Sequence, residues 1–122
     1  MYSVGIDIIE IDRVAAAAEN PRFVARVFGE EERHELEARG WKRQNLAAAF
    51  AAKEAFAKAI GTGVRGFALS AVQLLHGELG APYLRLGEDA RIIAEVRGYT
   101  RFSVSVSHSR DNAVAAVIAS GE

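Results

Sequence analysis

The sequence predicts an α+β fold: one compact domain over residues 1–122, with a mainly antiparallel sheet packed on a long central helix. Three observations predict it. Residues 42–60 are rich in Ala, contain no Pro and stop at Gly61, which reads as one long helix. Residues 2–9, 101–108 and 113–119 are rich in Val, Ile and small residues, as strands are, and the last two are joined by the turn Ser109-Arg110-Asp111-Asn112, so they should pair as a hairpin. A chain of 122 residues holds material for one modest core.

The first strand, 2–9, places Val4, Ile6 and Ile8 on one side and Ser3, Gly5, Asp7 and Ile9 on the other. Aspartate is disfavoured inside a strand, yet Asp7 stands between isoleucines with Gly5 clearing space two residues earlier. It is either a strand-end cap for the next helix or a carboxylate held for chemistry. Residues 10–19 read as a short helix with Ile11, Val14, Ala15 and Ala18 on its apolar stripe and Arg13 facing out. Asn20-Pro21 breaks it, with Pro at a helix start. Residues 22–28 add a helical turn or two. There Arg22 and Arg26, four apart with no acid between them, form a basic face. Such a face is either merely solvated or a docking face for an acidic macromolecule.

Residues 30–39 form a polar helix, acidic early and basic at Arg39, as the helix dipole favours. Its few apolar residues place it on the surface, with His34 exposed. Gly40-Trp41 links it to the central helix. Beyond the glycine-rich turn, 71–76 and 83–86 read as a hairpin across the turn 77–82, and 88–96 as a helix with Ala90, Ile93, Ala94 and Val96 apolar, closed by Gly98. Strand 101–108 alternates, with Phe102, Val104, Val106 and His108 on one side and three serines on the other. His108 falls at the hairpin tip, where a histidine is either structural or solvated, or turned to a ligand.

Composition narrows the function classes. Half the residues are hydrophobic, a quarter are charged and the net charge is −1, so the chain has no overall basic footprint for nucleic acid. The absence of cysteine excludes disulfides, thiolate catalysis and thiolate metal sites. No uncharged apolar run reaches membrane-spanning length, and Asp7 interrupts the one apolar run near the N-terminus, so no signal peptide is expected. The expected compartment is the cytoplasm.

Chemistry concentrates on the central helix. From Leu46 to Ala52 it is apolar all round, which predicts burial. Lys53, Glu54 and Lys58 then interrupt the apolar pattern, and Glu54 and Lys58 share a face with Ala47 and Ala51. The turn Gly61-Thr62-Gly63-Val64-Arg65-Gly66 follows at once. Such a turn can aim backbone N–H groups at an anion, and Arg65 adds positive charge. A carboxylate, a lysine and this turn read as a metal–phosphate site, or else as a surface Glu–Lys pair and an ordinary helix cap.

Three stretches taken together are similar to one family: Gly5-Ile6-Asp7-Ile8-Ile9-Glu10-Ile11-Asp12-Arg13, then Phe50-Ala51-Ala52-Lys53-Glu54-Ala55-Phe56-Ala57-Lys58-Ala59-Ile60-Gly61-Thr62-Gly63, and Val104-Ser105-Val106-Ser107-His108. In order, spacing and chain length they resemble the small holo-[acyl-carrier-protein] synthases, the short branch of the 4′-phosphopantetheinyl transferases, over nearly the whole chain. The resemblance implies that fold, and transfer of the 4′-phosphopantetheine arm of coenzyme A to a serine of acyl carrier protein with release of 3′,5′-ADP. It implies Mg2+ held by Asp7 and Glu54, with Lys58 on the coenzyme A phosphates. It places His108 at the nucleotide end, with the Gly61-Thr62-Gly63 turn and the turn at Pro82 around the nucleotide. Arg13, Arg22 and Arg26 match the face that members offer to the acidic carrier protein, and compact members are homotrimers with sites between subunits.

Elementary chemistry agrees with this assignment. Magnesium keeps waters and takes one or two carboxylates plus phosphate oxygens, the number that Asp7 and Glu54 supply. Glu54, through a water on the metal, is the candidate base for the serine hydroxyl. One departure stands out: members often carry an arginine where this chain has Ala49, and Arg65 or Lys53 is expected to supply the missing nucleotide contact. Competing readings are a module that binds coenzyme A or a carrier protein without transferring anything, and a structural scaffold whose charged residues are ordinary ion pairs.

Overall fold

Strand β1, Tyr2–Glu10, follows from its Val/Ile content and runs antiparallel to β5, Asn112–Ser120, which in turn pairs antiparallel with β4, Arg101–His108. The structure is a computed structural model that describes residues 1–121. The three strands form a sheet in the order β1-β5-β4. Register puts Gly5 beside Val117 and Asp7 beside Ala115, with Val104 and Val106 of β4 on the far side of those two β5 residues. Ala113, Ala115, Val117 and Ala119 are fully buried on this inner face. Small side chains there let a helix come close, and helix α4, Arg43–Ile60, lies against them.

The closest approach explains Gly5. A Cβ added there would lie 2.0 Å from the Ala55 carbonyl oxygen and 2.5 Å from the Ala59 nitrogen. Both are backbone atoms, so neither can turn aside. Gly5→Ala therefore pushes β1 and α4 apart, at a cost of about 1–3 kcal/mol by overpacking. Because Asp7 rides on β1 and Glu54 and Lys58 on α4, activity should fall as well. Urea denaturation beside a turnover assay checks both, and unchanged stability would show that the two elements have slack.

Helices α1, Ile11–Ala17, and α2, Pro21–Val27, follow β1, and Asn20 accepts the Arg22 N–H at 2.9 Å as the cap of α2. Ile11 and Val14 are buried and Arg13 is exposed, as the stripe predicts. Strands β2, Val72–His76, and β3, Pro82–Leu86, pair as the expected hairpin in a separate two-stranded sheet, and α5, Glu88–Val96, returns the chain to β4. Phe56 joins the layers, its ring 5.1 Å from that of Phe102 and 5.7 Å from that of Phe67, centre to centre.

Helix α3, Glu30–Ala38, departs from expectation. It is not wholly a surface helix. Leu36 is buried, and Glu32 is only 1 % exposed, facing Lys53, which is 0 % exposed. Lys53 Nζ lies 2.5 Å from Glu32 Oε1 and donates to the Val72 carbonyl as well. The Glu32 carboxylate also accepts the N–H groups of Gly29, at 3.1 Å, and Leu74, at 2.8 Å. Gln73 Oε1 accepts the Glu32 N–H at 2.9 Å, doing the capping that Gly29 has no side chain to do. One buried carboxylate thus ties α3, α4 and β2 together.

Candidate active site

Asp7 reaches the site because β1 alternates and Gly5 admits the helix, so its carboxylate meets α4 two residues further along the strand. Lys58 Nζ donates to Asp7 Oδ1 at 3.1 Å and to the Ile6 carbonyl at 3.0 Å. The Asp7 side chain is 15 % exposed and that of Lys58 54 %. Glu54, one turn back on the same helix face and half-buried, completes the group. Burial pushes the Glu54 carboxyl above its ordinary range, and the nearby charge of Asp7 pushes it further, while Lys58 opposes both. Two carboxylates and a lysine therefore converge where β1 crosses α4.

The two carboxylates are a demand for positive charge. They present hard oxygen donors on rigid elements, which fits a divalent ion of the magnesium kind, one that completes its shell with water and phosphate oxygens. No cluster of three His, Cys, Asp or Glu placed to enclose a metal by itself occurs among the described residues. Burial and the Asp7 charge disfavour the ionised form of Glu54, and Lys58 offsets part of this. A carboxyl raised in the folded state burdens stability above its folded pKa and is harmless below its unfolded one. In chelator, Glu54→Gln should therefore raise the melting temperature at neutral pH, and the gain should vanish as pH falls through the carboxylate range. A scan of melting temperature against pH for both proteins checks it.

The glycine turn behaves only partly as expected. Gly61 adopts φ +82° and closes α4 as a left-handed cap. Its N–H returns to the Ala57 and Lys58 carbonyls at 3.2 and 3.1 Å, and the Gly63 N–H to Ala57 at 3.3 Å. These two amides cap the helix and do not point at an anion, and the Arg65 N–H donates to the Gly63 carbonyl at 3.0 Å, so among the described residues the turn's N–H groups left for a ligand are those of Thr62, Val64 and Gly66. Thr62 Oγ1 donates to the Gly63 carbonyl at 2.7 Å.

Other expected residues lie apart from this centre. His108, at the exposed end of β4, lines a cavity of about 70 Å³ with Ala48, Ala49, Asn45, Arg39 and His76. Pro82 pairs with His76 across the β2–β3 hairpin, so it belongs to the same neighbourhood. Nine residues of helix, about 14 Å of rise, separate Ala49 from Lys58. The expectation that Lys53 contacts a nucleotide is corrected: fully enclosed by Glu32 and the Val72 carbonyl, its ammonium faces no ligand. Arg65 lies beyond the far end of α4 from Ala49 and does not fill that place either. Arg39 does bring a guanidinium there, its Nη1 3.4 Å from His76 Nδ1, with Glu35 Oε2 at 2.7 Å on the same ring nitrogen. Nothing in the sequence spacing linked Arg39 or His76 to Ala49, because they come from three different elements.

Arg13, Arg22 and Arg26 are all exposed on α1 and α2, and none of them forms an ion pair among the described residues.

A family model described as the 4′-phosphopantetheinyl transferase superfamily matches residues 3–118. The chain is 43% identical over 117 residues to the holo-[acyl-carrier-protein] synthase of Alkaliphilus metalliredigens, covering 95% of this chain and 96% of that protein. To the enzyme of the same name from Clostridium tetani it is 39% identical over 123 residues, covering 100% and 98%. Among solved structures it is similar to holo-[acyl-carrier-protein] synthase from Neisseria meningitidis, with a TM-score of 0.88, 35% identity and 96% of each chain covered. The Bacillus anthracis synthase in complex with CoA (3′,5′-ADP) aligns at a TM-score of 0.79 and 30% identity, covering 98% of this chain and 96% of that one.

Proposed function

Because the chain belongs to the 4′-phosphopantetheinyl transferase superfamily, we propose that Asp7, Glu54 and Lys58 form the centre at which it transfers the 4′-phosphopantetheine arm of coenzyme A to a serine of apo acyl carrier protein. The observation that carries this reading is the convergence of two carboxylates and a lysine at the crossing of β1 and α4.

Asp7 and Glu54 would hold magnesium. When bound, the ion polarises the pyrophosphate and offsets charge on the departing phosphate. Lys58, on a flexible stem with its head half in solvent, adds a point charge beside the leaving group. The serine oxygen bonds to the pantetheine-side phosphorus. The bond from that phosphorus to the bridging oxygen breaks, and 3′,5′-ADP leaves with that oxygen. Glu54, within reach of the site where the serine is activated, would accept the serine proton through water.

The nucleotide end then lies toward Pro82, His76 and His108, with Arg39 in place of the arginine that family members carry at Ala49. The three unpaired arginines of α1 and α2 give the acidic carrier its docking face. The outer face of the sheet supports assembly. Val4, Ile6, Ile8 and Ile118 are 60, 57, 65 and 48 % exposed on it and lie on paired strands. An apolar face of this kind fits contact with further copies, as in a trimer with sites between subunits. No helix among the described residues is long and apolar enough to cross a membrane. The cytoplasm is the compartment proposed for the reaction.

The test is to incubate the protein with apo carrier, coenzyme A and magnesium and to take the intact mass of the carrier. A gain of one phosphopantetheine, lost with Glu54→Ala and with chelator, is the expected result. No gain on a competent carrier would leave a binding module.

A further inference from the structure

An anion bound at the Gly61–Gly63 turn meets an awkward end of the helix. The C-terminus of a helix carries about half a negative charge on its last carbonyls, which repels phosphate. Lys58 sits in the last turn but is engaged by Asp7 and the Ile6 carbonyl. Gly61 and Gly63 amides satisfy Ala57 and Lys58 carbonyls. The Ile60 carbonyl takes a different partner: Arg97 donates to it from Nε at 3.0 Å.

Arg97 is the first residue beyond α5, and Gly98, at φ +96°, turns the chain away after it. Its guanidinium is laid against the turn, since a Cβ added at Gly61 would lie 2.9 Å from Arg97 Nη2. Ile93, four residues earlier and so on the same helix face, grips the other end: a Cβ at Gly66 would lie 2.6 Å from Ile93 Cδ1. Helix α5 therefore holds the turn at both ends, one contact apolar and one cationic. Among the described residues the two Nη groups of Arg97 make no hydrogen bond, so the charge is not cancelled by an acid.

We infer that Arg97 is a positioning residue for coenzyme A: by binding the Ile60 carbonyl and lying along Gly61, its guanidinium neutralises the negative end of α4 and sets the turn for the ligand's phosphates. This rests on the proposed reading that the coenzyme A phosphates lie at Lys58, in the last turn of α4 next to its Gly61 cap. A residue that merely stabilised the fold would leave the affinity for coenzyme A untouched once the protein is folded; Arg97 should change that affinity, and in a charge-dependent way.

The experiment titrates coenzyme A with magnesium into the wild type and into Arg97→Gln, Arg97→Lys and Arg97→Leu by calorimetry, with kcat and KM measured on apo carrier. Arg97→Gln keeps a side chain able to donate a hydrogen bond but loses the charge. It should weaken coenzyme A binding about 3- to 5-fold, raise KM in step and leave kcat near the wild-type value, with a small fall in the melting temperature of the ligand-free protein as the α4 end loses its cation. Arg97→Lys should recover most of the affinity. The gap between Gln and wild type should narrow at high salt. Affinities of all variants within about twofold of wild type would overturn the inference, as would a loss that lysine does not rescue. A wild-type protein that fails to bind coenzyme A would instead overturn the reading of the site itself, and the inference with it.

Discussion

Glutamine in place of Glu54 should lower kcat by about 10²-fold or more while coenzyme A still binds. The substitution keeps the length and most of the packing of the side chain but removes its capacity to accept a proton. It also removes one of the two negative charges that call for a cation beside Asp7. A residue serving only to bind substrate would show the opposite pattern, a raised KM with kcat intact. Time courses of carrier mass at saturating coenzyme A, with binding measured separately, tell the two apart. Unchanged kcat would remove Glu54 as the base and leave it at most a ligand for the ion.

The largest effect on stability should come from Lys53→Met. Burial pushes the Lys53 pKa down, partly countered by Glu32, and pushes the Glu32 pKa up, partly countered by Lys53. At 2.5 Å, with two backbone N–H donors on the carboxylate and a carbonyl on the ammonium, each charge has partners that hold it. Removing one partner strands the other in the core, which costs about 3–5 kcal/mol. Replacing both, Lys53→Met with Glu32→Leu, should recover much of that loss, since an apolar pair of similar volume avoids the desolvation of two ions. The Gly29 and Leu74 amides then lose their acceptor, so the recovery should stay incomplete. Denaturant unfolding of the single and double variants gives the coupling. Because Lys53 touches no ligand, the folded double variant should bind coenzyme A as the wild type does. A specific loss of that affinity would restore Lys53 as a ligand contact.

Much of this molecule was legible before its coordinates. Periodicity located the five α-helices and five strands to within a few residues, because Gly and Pro punctuate the chain at Pro21, Gly29, Gly61 and Gly98, but it missed the short 3-10 turn Leu69–Ala71. Asp7 and Glu54 stood out for a physical reason: each is a carboxylate in a place that favours apolar residues. Their meeting was foreseen only through the resemblance, since nothing local tells β1 where along α4 it lies. Glu32 escaped notice because it is one of many charges in a polar helix, and the spacing Gly29-x-x-Glu32 is a weak capping signal. The stranger clue was Lys53 itself, an ammonium in an apolar run that needed a buried acid from elsewhere.

The sequence by itself determined the elements, showed Asp7, Glu54 and Lys58 as charged residues inside apolar patterns, and put Arg22 and Arg26 on one exposed face. Those depend on residue type and local spacing, which a single chain states outright. The tertiary structure alone decided that Lys53 is a core residue and not a ligand contact, that Arg39 and His76 stand beside Ala49, that Val4, Ile6 and Ile8 face outward, and that Arg97 closes the end of α4. Each of these joins residues far apart in the chain, and which partner is reached depends on how sheet and helices pack, here on Gly5 letting β1 come against Ala55 and Ala59.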